Sequence, residues 1–317
     1  MGGPMAKISL RAPAKINWTL DVIGKQLDGY HQVEMLMQSI ALWDEVVLTE
    51  YPGSKLESPE IHIRGNSSKM PLDESNLAVK AASLIMQRFE IFSGLEIEII
   101  KNIPMEAGLA GGSTDAAAVL TGLNSLWKLG LSLSDLNELG TQLGADVPFC
   151  ITGGTAIARG IGNELYSLPP LKGIWLVLLK PPFGMSTADV YQGLSLKSIK
   201  THPNWNKAYE LLQAGQLSEL QQNLVNVLES VAAVHHPEIG ELKEALIRAG
   251  AAASAMTGSG PAVFGVFSSS ADAHKAALKF KLLYEQVYII PIHDKGVEII
   301  EGGDDTFDKN QCSCFSR

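Results

Sequence analysis

Pro104-Met105-Glu106-Ala107-Gly108-Leu109-Ala110-Gly111-Gly112-Ser113-Thr114-Asp115 is the stretch on which the reading of this chain turns. Just before it, Leu95-Glu96-Ile97-Glu98-Ile99 alternates strictly and predicts a half-buried strand. Just after it, Val119, Leu123 and Trp127 recur every four residues, with Leu120 beside them, and predict a helix. Three glycines between strand and helix let the backbone bend and approach a ligand closely, since no Cβ intervenes. Loop N–H groups and the positive end of the following helix together form an anion site. The hydroxyls of Ser113 and Thr114 can reach phosphate oxygens or a bound Mg²⁺. No Gly-Lys-Ser/Thr closes the loop, and its Gly-x-x-Gly-Gly spacing is not Gly-x-Gly-x-x-Gly, so neither common nucleotide fingerprint applies. The plain alternative is a flexible connector.

Working outward, Ile8 to Ile23, Glu34 to Ile40 and Glu45 to Thr49 read as strands, with Asp28-Gly29-Tyr30-His31 as a turn. Asn76 to Phe89 carries apolar residues on one helical face, and Ser132 with Asp135 resembles a capping box opening a helix that ends near Gly144. Thr155 to Arg159 and Ile174 to Leu179 read as strands, and Pro169-Pro170 between them suggests a change of unit. Helical patterns follow at 205–213, 217–228 and 239–249, then a strand at 262–267, a helix at 273–283 and a strand at 287–292. Strands and helices mix without regular alternation, which favours α+β over a doubly wound sheet.

The chain has 317 residues, 46% of them hydrophobic and 19% charged, enough to bury a sizeable core. A net charge of −9 with no long basic run argues against a nucleic-acid partner, so any phosphate site must rely on local lysines and backbone amides. No apolar run is long enough for a bilayer. The N-terminus lacks a signal core, and Gly2-Gly3-Pro4 before Met5 reads as an added leader with Met5 the natural start. Cys150, Cys312 and Cys314 imply no disulfide framework, and Cys312-x-Cys314 lacks metal-ligand spacing, which suits a reducing cytoplasm.

Three segments, in order, resemble the motifs of the GHMP kinases: Ala12-Pro13-Ala14-Lys15-Ile16-Asn17, the 104–115 loop, and Thr257-Gly258-Ser259-Gly260-Pro261-Ala262-Val263-Phe264. The resemblance spans about Ile8 to Ile292. It implies a two-domain fold, with a ribosomal S5 domain 2-like N-terminal domain (1–165), a ferredoxin-like C-terminal domain (166–300), a cleft between them and a loose tail (301–317). It also implies ATP, with Mg²⁺, held by Pro104 to Thr114, with Asn76 and Lys101 candidates near the nucleotide. Asn76 reads equally as a helix N-cap, and Lys101 as a strand end.

Asp28-Gly29-Tyr30-His31 and Leu143-Gly144-Ala145-Asp146-Val147-Pro148-Phe149 further resemble the 4-diphosphocytidyl-2-C-methylerythritol kinases. That resemblance makes Lys15 and Asp146 the catalytic pair: Asp146 takes the proton of the attacking 2-hydroxyl, and Lys15 activates that hydroxyl and offsets charge on the transferring group. It places Asn17, Tyr30, His31, Thr187, Tyr191 and Gly258 at the substrate, with Tyr30 and Tyr191 sandwiching the cytosine ring. Gly258 reads also as part of a tight turn before a core strand. The implied partner is the small cytidine diphosphate substrate, in a cytoplasmic monomer or homodimer. The alternatives are a homoserine- or mevalonate-type kinase and a ligand sensor that has lost catalysis.

Overall fold

A computed structural model describes residues 6–27, 29–51 and 59–300. Asp28, Cys312, Cys314 and the 301–317 tail lie outside the described residues. Two long strands set the frame: β1 (Ala6–Lys25) pairs antiparallel with β2 (His31–Tyr51) along their whole length. The strands predicted at 34–40 and 45–49 are one strand. The pairing slips at Pro13/Lys15, at Asn17/Thr19 and at Val22/Gly24, and these irregularities re-aim side chains along β1. β3 (Glu60–Gly65), α1 (Leu77–Arg88) and β4 (Gly94–Ile100) follow, with β3 and β4 parallel. The loop then leads into α2 (Gly111–Leu126), α3 (Leu133–Leu143) and α4 (Val147–Thr152). The predicted capping box on α3 is present in both directions. α4 was not legible as a helix: Val147-Pro148 reads as a turn, yet proline suits the first helical turn because its missing N–H has no partner there.

β5 (Thr155–Arg159) pairs with the first half of β2, and β6 (Glu164–Leu168) pairs with β5. The second unit begins with β7 (Trp175–Lys180), then α5 (Thr187–Gly193), α6 (Trp205–Ala214), α7 (Glu229–His235) and α8 (Glu238–Arg248). β8 (Ala253–Met256), β9 (Val263–Phe267), α9 (Ser270–Phe280) and β10 (Gln286–Pro291) complete a four-stranded sheet of order β10-β7-β9-β8. All its pairings are antiparallel. That order and sense match the ferredoxin-like expectation.

The helix predicted at 217–228 is a correction. The chain makes a 3₁₀ turn over Leu217–Gln222 and then extends, with Leu20 N donating to Val225 O (3.0 Å) and Val227 N to Leu20 O (3.0 Å). Helical spacing there is real, but pairing with β1 overrides it. The last strand, β11 (Glu298–Ile300), pairs with β1. Residues 298–300 thus return to the first sheet, and the predicted division at 165 falls inside β6.

The two sheets share a core. Ala14, Ile16 and Trp18 of β1 pack with Leu176, Leu178 and Phe264 of the second sheet. The Trp18 ring meets Phe264 edge-on at 5.6 Å. Lys15 and Asn17, of opposite parity on β1, are buried away from that cluster. No helix among the described residues is long and apolar enough to cross a membrane.

The turn after α4 is held by backbone contact with the C-terminal segment. Gly153 has φ +67°, and a Cβ there would lie 1.8 Å from Gly296 N. Val297 N donates to Cys150 O at 3.1 Å, completing the clasp. Gly153→Ala must therefore displace backbone, not a side-chain tip. It should lower unfolding free energy by about 2–4 kcal/mol, measured by urea titration. A loss under about 1 kcal/mol would mean that the segment yields freely.

Candidate active site

Lys15 belongs to a buried stretch of β1. Its backbone N–H donates to Leu109 O at 3.2 Å, joining the first motif to the glycine loop. Its Nζ donates to Asn17 Oδ1 at 2.8 Å and stands 3.6 Å from Asp146 Oδ2. The lysine side chain is 5% exposed and that of Asp146 30%, so the carboxylate reaches solvent and the ammonium stands behind it. Asp146 is the residue preceding α4, but its side chain makes no capping bond and stays available. Asn17 N in turn donates to Thr257 Oγ1 at 3.0 Å, which ties the third motif to the first.

The glycine loop and the 257–260 turn meet backbone to backbone. Gly108 has φ +75°, and a Cβ there would sit 2.2 Å from Thr257 O. Gly258 has φ +55°, and its Cβ would sit 2.6 Å from Gly108 O. Both positions demand glycine for conformation and for space. Glu106 (φ 51°) and Ala110 (φ 60°) also adopt the left-handed region, at a cost of order 1–2 kcal/mol each. Ala110 is the residue preceding α2; it gives no side-chain cap, and no acidic residue occupies the first turn. Thr114 N→Ala110 O is the first helical bond, so the amides of Gly111, Gly112 and Ser113 keep their donor capacity for a ligand.

A cavity of about 370 Å³ joins these parts. It is lined by Lys15, Asp146, residues 104–113, Asn76, Lys101, Thr187 and Gly258. Asn76 also caps α1: its Oδ1 accepts from Ala78 N at 2.9 Å, and its Nδ2 donates to Pro71 O at 2.8 Å. Both readings of Asn76 therefore coexist. Thr187 Oγ1 lies 2.9 Å from Ser259 Oγ, bridging α5 to the 257–260 turn.

Thr114 is a correction. Its hydroxyl donates to Pro13 O at 2.9 Å and the residue is fully buried, so it fastens α2 to β1 and is withdrawn from the cavity. Asn17, Tyr30, His31 and Tyr191 are not on the cavity wall. Asn17 acts on Lys15. The His31 and Tyr191 rings lie 5.3 Å apart, tilted by 39°. Burial, then the charge of Asp146, push the Tyr191 phenol well above its usual range, which puts the ring on the Asp146 side of the site. Burial and then Lys25 lower the His31 imidazole, favouring its neutral form. Tyr30 is 61% exposed at the hairpin tip, and the ring that meets Tyr191 is that of His31.

Sequence reading missed several residues. Lys101 Nζ donates to Asp115 Oδ2 at 2.7 Å and to Asp44, whose Oδ1 accepts from Asn102 N (2.6 Å) and Ile103 N (2.8 Å). Nothing near Asp44 marks it, since it lies in a plain strand. Burial, only partly opposed by Lys101, pushes the Asp115 carboxyl up to about 8. Asn226 Nδ2 donates to Met256 O (3.0 Å) and Gly258 O (2.8 Å), gripping the 257–260 turn. The helical periodicity around it concealed that role.

The GHMP kinases N terminal domain model matches residues 76–154, and the GHMP kinases C terminal model matches 208–286. The 4-diphosphocytidyl-2-C-methyl-D-erythritol kinase of Clostridioides difficile (strain 630) is 45% identical over 92% of this chain and 97% of its own length. That of Bacillus mycoides (strain KBAB4) is 45% identical over 90% of this chain and 96% of its own. A crystal structure of 4-(cytidine 5'-diphospho)-2C-methyl-D-erythritol kinase superposes with a TM-score of 0.76 at 31% identity, covering 90% of this chain and 98% of that one. A homoserine kinase from Cytophaga hutchinsonii, at 21% identity and a TM-score of 0.74, shares the fold. With both domain models in place and the likeness running over nine-tenths of its length, the chain belongs to the 4-diphosphocytidyl-2-C-methyl-D-erythritol kinases within the GHMP kinases.

Proposed function

We propose that this protein transfers the γ-phosphate of ATP to the 2-hydroxyl of 4-diphosphocytidyl-2-C-methyl-D-erythritol, releasing ADP, as a cytoplasmic step of non-mevalonate isoprenoid synthesis. The observation that carries the proposal is the Lys15–Asp146 pair, 3.6 Å apart, at the wall of the cavity that the glycine loop lines. The free amides of Gly111, Gly112 and Ser113 receive the nucleotide phosphates. Asp146 accepts the hydroxyl proton as that oxygen bonds to the γ-phosphorus and the bond to the ADP oxygen breaks. Lys15, oriented by Asn17, offsets the negative charge that gathers there. His31 and Tyr191 receive the cytosine ring, and neutral His31 can both donate to and accept from its polar edge.

Mg²⁺ would neutralise phosphate charge. Among the described residues no group of three or more His, Cys, Asp or Glu gathers to hold it, so the ion fits best as part of the ATP complex, near the Ser113 hydroxyl. The division of labour follows the two sheets, with residues 6–168 and 298–300 forming the nucleotide-binding unit.

An ADP-release assay with the cytidine substrate, homoserine and mevalonate tests the reading. The cytidine substrate alone should be turned over, and Asp146→Ala should lower kcat by about 10²–10⁴-fold. Comparable rates in variant and wild type would remove Asp146 from the mechanism, and turnover of homoserine would overturn the substrate assignment. Tyr191→Ala should raise KM for the cytidine substrate by about tenfold through lost stacking while leaving KM for ATP unchanged. Tyr30→Ala should have a smaller effect; the reverse order would mean that the hairpin tip closes over the base.

A further inference from the structure

The buried cluster of Asp44, Lys101 and Asp115 has no part in the chemistry above. The Lys101 side chain is 6% exposed, that of Asp44 0% and that of Asp115 5%. Isolated charges cannot be carried so deep without partners. Here the partners span the glycine loop. Asp44 holds the loop's entry, taking the amides of Asn102 and Ile103 as well as the Lys101 ammonium. Asp115 sits on α2, beyond the loop's exit, and takes the same ammonium. A Cβ on Gly111 would lie 3.2 Å from Lys101 Nζ, so the ammonium rests against the first turn of α2 whose amides are free.

Lys101 borders the cavity, yet it already serves two carboxylates. Asp44 does not border the cavity at all. Asp115 borders it, but one carboxylate oxygen is taken by Lys101 and the other is enclosed without a partner. Neither acid is placed to bind a ligand. Each is placed to fix Lys101, and Lys101 fixes the two ends of the loop relative to each other.

We propose that Asp44 and Asp115 are positioning residues for nucleotide binding: through the one ammonium of Lys101 they clamp the entry and exit of the glycine loop and hold the Gly111–Ser113 amides aimed at the phosphates. The clamp rests on the reading of that loop as the phosphate site. Its charge balance suits an anion site. The Lys101 ammonium offsets the two carboxyls it touches, and burial raises the Asp115 carboxyl toward its neutral form, so little negative charge gathers beneath the amides.

Calorimetric titration of ADP, and separately of the cytidine substrate, tests the clamp on the full-length protein, with circular dichroism as the check on folding. Asp115→Ala and Asp44→Ala should each weaken ADP by about tenfold while changing cytidine-substrate affinity by less than about twofold. The double variant should be no weaker than the worse single one, since either change breaks the same Asp44–Lys101–Asp115 link. Asp115→Asn, whose amide oxygen can still accept from Lys101, should recover most of the affinity. Unchanged ADP affinity in folded Asp115→Ala, multiplying effects in the double variant, or equal weakening of both ligands would overturn the clamp. If Asp44→Ala fails to fold, the Asp115→Ala and Asp115→Asn pair decides alone. Failure of the wild-type protein to bind ADP would instead remove the phosphate-site reading, and the clamp with it.

Discussion

The site depends on one steric constraint: two stretches of backbone, from different sheets, touch with no side chain between them. A Cβ at Gly108 would strike Thr257 O, and a Cβ at Gly258 would strike Gly108 O. Because both are glycine, the phosphate loop and the β8–β9 turn interlock. The contact is reinforced from each side. Lys15 N bonds to Leu109 O, Asn17 N bonds to Thr257 Oγ1, and Asn226 grips the carbonyls of Met256 and Gly258. The three motifs are thereby one hydrogen-bonded unit, although the joined residues of the first and third lie 240 positions apart in sequence. Lys15 reaches the cleft because β1 sends its even-numbered neighbours into the core that both sheets share.

Electrostatics then act locally. The chain carries a net charge of −9, yet the cavity wall joins a glycine loop to two lysines, Lys15 and Lys101. Screening in physiological salt confines surface charges to about 8 Å, so distant carboxylates count for little against oriented amides and an ammonium in the site itself. What does count is buried charge nearby. Two carboxylates behind the loop would oppose a phosphate strongly if both were ionised and unpaired, and pairing with Lys101, with burial raising the Asp115 carboxyl, weakens that opposition. Lys15 and Lys101 thus divide the work. The first stands beside Asp146 at the cavity wall, and the second is held between Asp44 and Asp115.

Legibility in the sequence followed the range of the interaction. Local patterns read well: the alternation of β4, the capping box of α3, the apolar stripe of α1 and the glycine loop all depend on neighbours within a few residues. The Lys15–Asp146 pairing was reached through motif resemblance, since nothing local to either residue announces the other. Interactions that depend on distant partners were missed or misread. Asp44 looks like any strand residue until Lys101 and the loop amides close on it. The segment near Asn226 has helical spacing but is drawn out by pairing with Leu20. Thr114 carries a hydroxyl beside the glycine loop, yet the carbonyl of Pro13, on β1, claims it.

The Thr114 case also shows why a loop of this kind needs more hydroxyls than it presents. A helix that ends on a ligand cannot use its first turn for packing, so its anchorage must come from the next residues in line. Thr114 and Asp115 are those residues, and both are turned inward, one to the backbone of β1 and the other to Lys101. An unsatisfied buried hydroxyl or carbonyl would cost about 1–3 kcal/mol, comparable to the left-handed strain at Glu106 or Ala110. Anchoring α2 at its fourth and fifth residues therefore offsets the strain that the preceding residues bear, and leaves the three amides before them free to meet a phosphate.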